Sequence, residues 1–483
     1  MPFRDLRELL SAIESRGELL RVREPVSPIL EITEWADRTV KRRGPALLFE
    51  NVTGSTMPVA INVFGTPQRT ALALGVGDVE ELAREVDAIL RQRPPETLVE
   101  KLKMLPLLMK LANFPPKKVS GGPCQEVVLT GNKVDLGLLP ALKCWPQDGG
   151  RYITLPCVFS KDPAGLPNCG MYRIQIFDAK TAGMHLHVHH DGARNCREWE
   201  ARKQPMPVAA AIGGDPAVTY SATAPLPPGV DEMLLAGFLR KEPVEMVPCV
   251  TQPSLNVPAE AEIVVEGYLA PGERRLEGPF GDHTGFYSLA DPYPVFHVTA
   301  ITHRQKPIYQ TLVVGAPPME DTFLGKATER LFLPFLKVML PEIVDLNLPL
   351  FGVFHNCVFV SIRKQYPQHA RKVMHGLWGL GQLMFSKLIV VVDEHVNVQN
   401  QDEVLFHLGA NCDYSRDLEL VRGPTDTLDH AGQHAGWTGK LGIDATKKWK
   451  EEGFTREWPE PLVMDEAVKS KVAEQLKGLG LTP

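Results

Sequence analysis

The chain predicts a mixed α+β protein of about three domains, and three observations carry that prediction. Its 483 residues, at roughly 150 residues per domain, leave room for about three cores. The texture of the sequence changes twice: helix- and strand-spaced segments alternate over the first hundred or so residues, short β-rich runs fill about 120 to 310, and α/β alternation returns after 310. The 40 glycines and 42 prolines exceed the usual share, so many turns and short strands are expected rather than a helical bundle.

Leu6, Leu9, Leu10 and Ile13 recur at helical spacing and Gly17 ends that helix before the strand-like Glu18–Val22. A second helix is expected from Ile29 to Arg42, followed by strands at Pro45–Phe49 and Pro58–Phe64. Residues 95–117 hold an apolar stretch, Leu102 to Leu111, that reads as a helix packed on its neighbour; the competing reading is a surface that meets a membrane or lipid tail. Pro115-Pro116-Lys117-Lys118 reads as a linker. The runs Glu126–Leu129, Arg173–Phe177, Ala261–Gly267 and Val295–Thr299 suggest a barrel or sandwich, with helices inserted near 193–203 and 229–241. Beyond it come helices at Thr322–Met339 and His369–Phe385, strands at Val358–Ile362 and Lys387–Val392 with Asp393 at the end of the second, and a terminal helix at Asp465–Lys477.

Composition excludes several classes. Apolar residues at 44% and charged residues at 23% are a globular balance. A net charge of −6 gives no basic excess for nucleic acid. The eight cysteines form no C-x-x-C pair and fit a reducing compartment. The N-terminal residues carry charges throughout, with no apolar signal core, and no stretch approaches the roughly 18 apolar residues of a membrane span, so a soluble, cytoplasmic protein is expected. There is no G-x-x-x-x-G-K-[ST] loop and no G-x-S-x-G elbow; Gly376–Gly381 falls within an expected helix and reads as close packing.

Three segments can carry chemistry. Glu277-Gly278-Pro279-Phe280-Gly281-Asp282-His283-Thr284-Gly285 is a tightly turning loop able to hold Glu277 and Asp282 in one pocket. Neighbouring carboxyls push each other's pKa apart, so one can stay ionised while the other donates a proton. The plainer reading is a surface turn whose Asp caps backbone amides. Asn168–Arg173 offers an arginine that would bind a carboxylate bidentately or hold Glu277 ionised, where an ordinary strand-end salt bridge is the alternative. His185-Leu186-His187-Val188-His189-His190-Asp191 places His185, His187 and His189 on one face if the segment is extended, spaced to share a metal in a hydrolase. A mixed Asn, His and Glu set with a phosphate would instead suit Mg²⁺ or Mn²⁺.

The whole chain resembles the UbiD family of prenylated-FMN-dependent decarboxylases. The resemblance rests on Phe3–Leu10, Arg16–Leu19, Gly150–Pro156, Asn168–Arg173, Val257–Val264 and Glu277–Gly285, while Lys440–Trp449 is similar to the 4-hydroxy-3-polyprenylbenzoate decarboxylase branch. It implies an N-terminal α/β domain (1–117), a central split β-barrel like that of flavin reductases (118–312), and a C-terminal α/β domain used in oligomerisation (313–483). The cofactor domain is expected to hinge over the substrate. Prenylated FMN would be lined by Met171, Tyr172, Arg173, His185, Leu186, His187, His190 and Asp191, with Lys387 a candidate for its phosphate. Asn168, His189 and Glu232 would hold a divalent metal, Mn or Mg, with K as a further candidate ion; His189 and His190 are adjacent and either could be the ligand. Where the polyprenylbenzoate branch often has Arg-Trp-Leu before the histidine, this chain has His185-Leu186-His187.

Loss of CO₂ from an aromatic acid leaves a carbanion that no side chain stabilises, so a cofactor must take the electrons. The expected roles are Arg173 positioning the substrate carboxylate while paired to Glu277, and Asp282, its pKa raised by a dry pocket and its carboxylate neighbour, protonating the carbon. The expected reaction is decarboxylation of 4-hydroxy-3-polyprenylbenzoate to 2-polyprenylphenol in ubiquinone synthesis, with a small hydroxybenzoate or heteroaromatic acid as the sibling reading. Expected partners are a flavin prenyltransferase that supplies the cofactor, further copies of the chain as a dimer or hexamer, and a peripheral contact with the inner membrane.

Overall fold

A computed structural model of the chain describes residues 3–92, 114–227, 229–434 and 436–480. The apolar segment expected at 102–111 lies outside the described residues. The first helix, Leu6–Ser15, is capped by Asp5, which accepts from the Glu8 amide, and buries the Leu6, Leu9, Leu10 and Ile13 stripe. It leads into a four-stranded sheet ordered Leu19–Val22, Ala46–Phe49, Val59–Ile61, Tyr309–Gln310. The last of these strands returns from beyond residue 300 to pair in parallel with Val59–Ile61.

The centre is one curled nine-stranded sheet. Its strand order runs from Arg151–Ile153 at one end to Pro167–Met171 at the other, and among the described residues no pairing joins these two edges, so the expected barrel is an open half-barrel. Its spine is the antiparallel hairpin of Ile263–Glu277 and Asp291–His303, irregular at Glu266/Gly267 and Leu269/Arg274. The Gly267 irregularity needs glycine, because a Cβ there would meet the His297 carbonyl oxygen at 1.9 Å. Apolar clusters cover both faces: one includes Ile174, Ala182, Val265 and Phe296, the other Phe159, Ala209, Val247 and Val264.

The C-terminal sheet has five strands in the order Ile343–Asn347, Cys357–Ile362, Leu388–Asp393, Trp437–Asp444, Leu418–Pro424, with parallel pairing at its centre. Every residue of Cys357–Ile362 is buried, as parallel strands covered on both faces require. The helix expected from His369 to Phe385 stops at Trp378, and Gly381–Phe385 forms a separate 3₁₀ turn. Gly381 at φ +47° marks the break. The terminal helix, Glu466–Gly478, buries no residue. Among the described residues no helix is long and apolar enough to cross a membrane, and all eight cysteines are free thiols.

Candidate functional site

The site forms where the central hairpin's tip meets the other end of its sheet and two loops of the C-terminal sheet. Strand Pro167–Met171 pairs with Cys157–Lys161 as a tight hairpin whose Asp162 side chain accepts from the amides of Ala164 and Leu166. Arg173 follows at the junction with Ile174–Ile176, and Glu277 closes the long strand opposite. Glu277 is fully buried and Asp282 is 7% exposed. The surface-turn reading of this loop therefore fails.

Arg173 joins the two carboxylates. Its Nε lies 2.9 Å from Glu277 Oε1, one Nη2 bond reaches Glu277 Oε2 at 3.0 Å and another Ser288 Oγ at 3.1 Å, and Nη1 donates to Asp282 Oδ2. Four of the five guanidinium N–H groups are thus used, leaving one on Nη1. Phe280 lies under the guanidinium at 4.8 Å. His185 Nδ1 completes Glu277 at 3.0 Å. Gly281 is required between Phe280 and Asp282, because a Cβ would strike Trp145 Cδ1 at 2.1 Å while that indole donates to the Val314 carbonyl at 2.9 Å.

The charges decide the protonation states. Burial pushes the Glu277 carboxyl up, but hydrogen bonds from His185 and Arg173 bring it below the usual range. Burial likewise opposes ionisation of Asp282, yet the Arg173 charge and His283 hold it well below the carboxylate range. This corrects the sequence expectation of a raised Asp282: the neighbouring guanidinium outweighs both the dry pocket and the second carboxylate. Burial would lower His283, but its bond to Asp282 and the charges of Asp282, Asp426 and Asp321 raise it to about 9.

The histidine segment is not a strand. Strand Thr181–Met184 ends before it, so the period-two face does not form. His185 turns to Glu277, and His187 Nε2 lies 3.2 Å from Asp426 Oδ1 and 2.6 Å from Thr427 Oγ1. His189 is exposed, with its ring beside His187 and Phe385. The three imidazoles therefore share no metal centre, and the hydrolase reading loses its geometry. Tyr172 and Leu186 belong to the main core cluster, and Met171 packs on the cluster across the sheet. Asp191 opens helix Asp191–Ala201 and pairs with Arg194 at 2.7 Å. Lys387 pairs with Asp429 at 2.8 Å, in the loop that also carries Asp426.

Asn168 and Glu232 converge. Asp231 caps helix Glu232–Arg240, placing Glu232 in its first turn, where Oε2 accepts from the Cys169 amide at 2.8 Å. The Asn168 side chain and the Gly192 amide both bond the Tyr172 hydroxyl. The His190 ring lies 5.8 Å from the Tyr172 ring. Burial, with Asp231 and Asp191 adding to it, pushes Glu232 up to about 7. A buried carboxylate beside an amide and an imidazole fits a hard divalent cation, which would relieve that cost. A polar ring ligand fits too, since buried His185 Nε2 and His187 Nδ1 have no hydrogen-bond partner.

Sequence reasoning missed the C-terminal contributors. His355 Nε2 lies 3.3 Å from Asp426 Oδ2, Phe354 stacks on His283 at 5.2 Å between ring centroids, and Phe385 lies against His187 and His355. No local motif marks these residues. Ser288 was also missed, although it lies just beyond the loop that was singled out.

Fold and site together present a buried arginine held between two carboxylates where the central sheet meets loops of the C-terminal sheet. Residues 10–90, 117–317 and 322–445 match, in turn, the N-terminal, Rift-related and C-terminal domains of 3-octaprenyl-4-hydroxybenzoate carboxy-lyase. An uncharacterized protein of Archaeoglobus fulgidus is 51% identical over 475 residues, 98% of each chain. The closed form of vanillic acid decarboxylase from Sedimentibacter hydroxybenzoicus is 30% identical, with TM-score 0.86 and 99% of each chain covered. The UbiD-class enzyme HmfF from Pelotomaculum thermopropionicum, solved in complex with FMN, is 30% identical, with TM-score 0.80 over 97% of this chain and 99% of that one. The chain belongs to the UbiD family and is a carboxy-lyase.

Proposed function

We propose that the protein decarboxylates a phenolic acid with prenylated FMN, using Arg173, Glu277 and Asp282. The observation that carries this reading is the single guanidinium held between two buried carboxylates, one of them on the loop that closes the central hairpin. Arg173 has one N–H to spare for a substrate carboxylate, and a carboxylate there competes with Asp282 for the positive charge. Weakening that hold lets Asp282 take up a proton. Asp282, having taken its proton from solvent, delivers it to the carbon that CO₂ leaves. Glu277, gripped by Arg173 and His185, stays ionised and fixes the guanidinium. Prenylated FMN supplies, when bound, the electron sink that side chains lack. Met171, Tyr172, His185, Leu186, His187, His190, Asp191 and Lys387 would line it. Asn168, Glu232 and His189, or its neighbour His190, would hold Mn²⁺ or Mg²⁺ against its phosphate, with K⁺ as a further candidate ion.

The substrate read from the family description is 4-hydroxy-3-polyprenylbenzoate, converted to 2-polyprenylphenol in ubiquinone synthesis. A small hydroxybenzoate is the second reading, favoured by the likeness to vanillic acid decarboxylase. A flavin prenyltransferase as cofactor supplier, self-association into a dimer or hexamer and a peripheral membrane contact belong to the same reading. The test is co-production with a flavin prenyltransferase, native mass spectrometry for the bound flavin, and a screen of prenylated and small phenolic acids for CO₂ release. Retained prenylated FMN with turnover of one class supports the reading. No flavin, or no turnover of any aromatic acid by the loaded enzyme, overturns it.

A further inference from the structure

We propose that His283, His355 and Asp426 form a second metal site, for a divalent first-row transition cation, distinct from the Asn168, His189 and Glu232 set. One ligand-capable atom from each lies within 4.8 Å of the others. His355 is 8% exposed, and the Nε2 atoms of both histidines are buried without a hydrogen-bond partner. Buried imidazole nitrogens are rarely left so.

Each ring is already oriented as a metal ligand. His283 Nδ1 lies 3.0 Å from Asp282 Oδ1, so that carboxylate holds the Nδ1 proton and a cation would take the place of the proton on Nε2. The Val353 carbonyl accepts from the His355 ring, and with Nε2 unpartnered that bond falls to Nδ1. On Asp426, Oδ1 accepts from the Leu428 amide at 2.8 Å and faces His187 Nε2, while Oδ2 faces the two orphaned nitrogens, 3.3 Å from His355 and 3.7 Å from His283. A carboxylate or carbonyl behind each ligating imidazole is the usual outer shell of a metal–histidine site.

The spacings suit a small cation. With metal–ligand bonds of about 2.0–2.1 Å, neighbouring donors of a tetrahedral shell are about 3.3 Å apart. The His355–Asp426 distance of 3.3 Å meets this, and His283, 3.7 Å from the same oxygen, would have to draw inward around an ion. Two imidazoles and one carboxylate leave coordination positions open to oxygen donors, as in zinc hydrolases and non-haem iron sites. Carboxylates also crowd the site, with Asp282 at 3.0 Å and Asp426 at 3.7 Å from the His283 ring nitrogens, and the buried Asp321 Oδ1 is itself unpartnered. Phe354 stacked on His283 and Phe385 edge-on to His355 screen the cluster from water. A cation here would tie the tip of the central hairpin to two loops of the C-terminal sheet. The inference rests on this geometry and holds whether or not the decarboxylase reading does.

The experiment uses the full chain, free of flavin and stripped with chelator, then loaded with Co²⁺ alone and desalted. Metal content and the visible d–d spectrum are read for the unmodified protein, Asp426→Asn, His355→Ala and Glu232→Gln. One equivalent of Co²⁺ should be lost in Asp426→Asn and in His355→Ala, with its d–d bands, while Glu232→Gln keeps them. Co²⁺ should also raise the melting temperature of Glu232→Gln, a measurement that leaves the proposed ligands intact. Equal content and spectra across the unmodified protein, Asp426→Asn and His355→Ala would overturn the proposal, as would a Glu232→Gln protein with neither the bands nor the thermal shift.

Discussion

Replacing Arg173 with Ala tests the charge arrangement at its centre. The substitution leaves Glu277, fully buried, and Asp282, 7% exposed, without their shared cation. Removing one partner of a buried ion pair typically costs about 3–5 kcal/mol. An unfolding entropy of about 2.1 cal/mol/K per residue gives about 1 kcal/mol/K for a chain of 483 residues, so Tm should fall by about 3–5 °C if the chain unfolds as one unit. The loss also has a pH signature. In the unmodified protein both carboxyls are held below their unfolded values. Their contribution is therefore fully present above the unfolded carboxylate range and disappears as pH falls through the folded values. Without Arg173, burial prevails and both carboxyls rise, so the variant is penalised most near neutrality and recovers as the groups protonate. Differential scanning calorimetry of the flavin-free proteins at about pH 7 and about pH 5 should show a gap that narrows on acidification. A gap that is absent at pH 7, or that widens toward pH 5, would refute the electrostatic account of the pocket.

Other substitutions separate chemistry from scaffolding. Asp282→Asn should abolish CO₂ release, a loss of at least about 10²-fold, while the flavin absorbance of the loaded enzyme is unchanged; retained turnover would remove Asp282 from its assigned role. Gly281→Ala should cost activity out of proportion to stability, because the new Cβ meets Trp145 at 2.1 Å and the indole is held by Val314, so the loop carrying Asp282 must shift; kinetics matching the unmodified enzyme would show that the loop has slack. Glu320 accepts from the Asn62 and Phe64 amides, both at 2.8 Å, and burial pushes it up to about 7. A raised carboxyl means the folded state binds the proton more tightly, so stability should decline as pH rises from the unfolded value through about 7. Glu320→Gln should be less stable by about 1–3 kcal/mol at acid pH, with the gap to the unmodified protein narrowing toward pH 8; a constant gap in urea titrations would contradict this.

The arrangement of elements was legible wherever the cause was local. The stripe of Leu6, Leu9, Leu10 and Ile13 and the strand Val358–Ile362 are written in consecutive residues, and they folded as read. The helix through Phe385 was overextended because its apolar spacing continues past Trp378, while the break depends on Gly381 taking a positive φ. The histidine segment misled for the opposite reason: its alternation suggests an extended strand, but the backbone stops pairing at Met184 and each imidazole follows a different distant partner.

The candidate site shows the same division at longer range. Arg173, Glu277 and Asp282 could be singled out because each stands in a compact local motif, and the sheet then needs only to bring two strand ends together. The direction of the Asp282 shift could not be read from its loop, since it depends on which of three influences is nearest: a carboxylate neighbour, a dry pocket or a guanidinium. Only geometry shows that Nη1 of Arg173 and Nδ1 of His283 both reach that carboxyl. His355, Phe385 and Asp426 carry no local signature, because each stands singly on a different loop of the C-terminal sheet. Their meeting with His187 and His283 nevertheless completes the polar wall beside Asp282. The residues proposed for the acid–base chemistry thus stand in two local motifs of the central sheet, while those that meet beside them are scattered through the C-terminal part. His355 and Asp426 can therefore be exchanged without removing a direct contact of the Arg173–Glu277 pair.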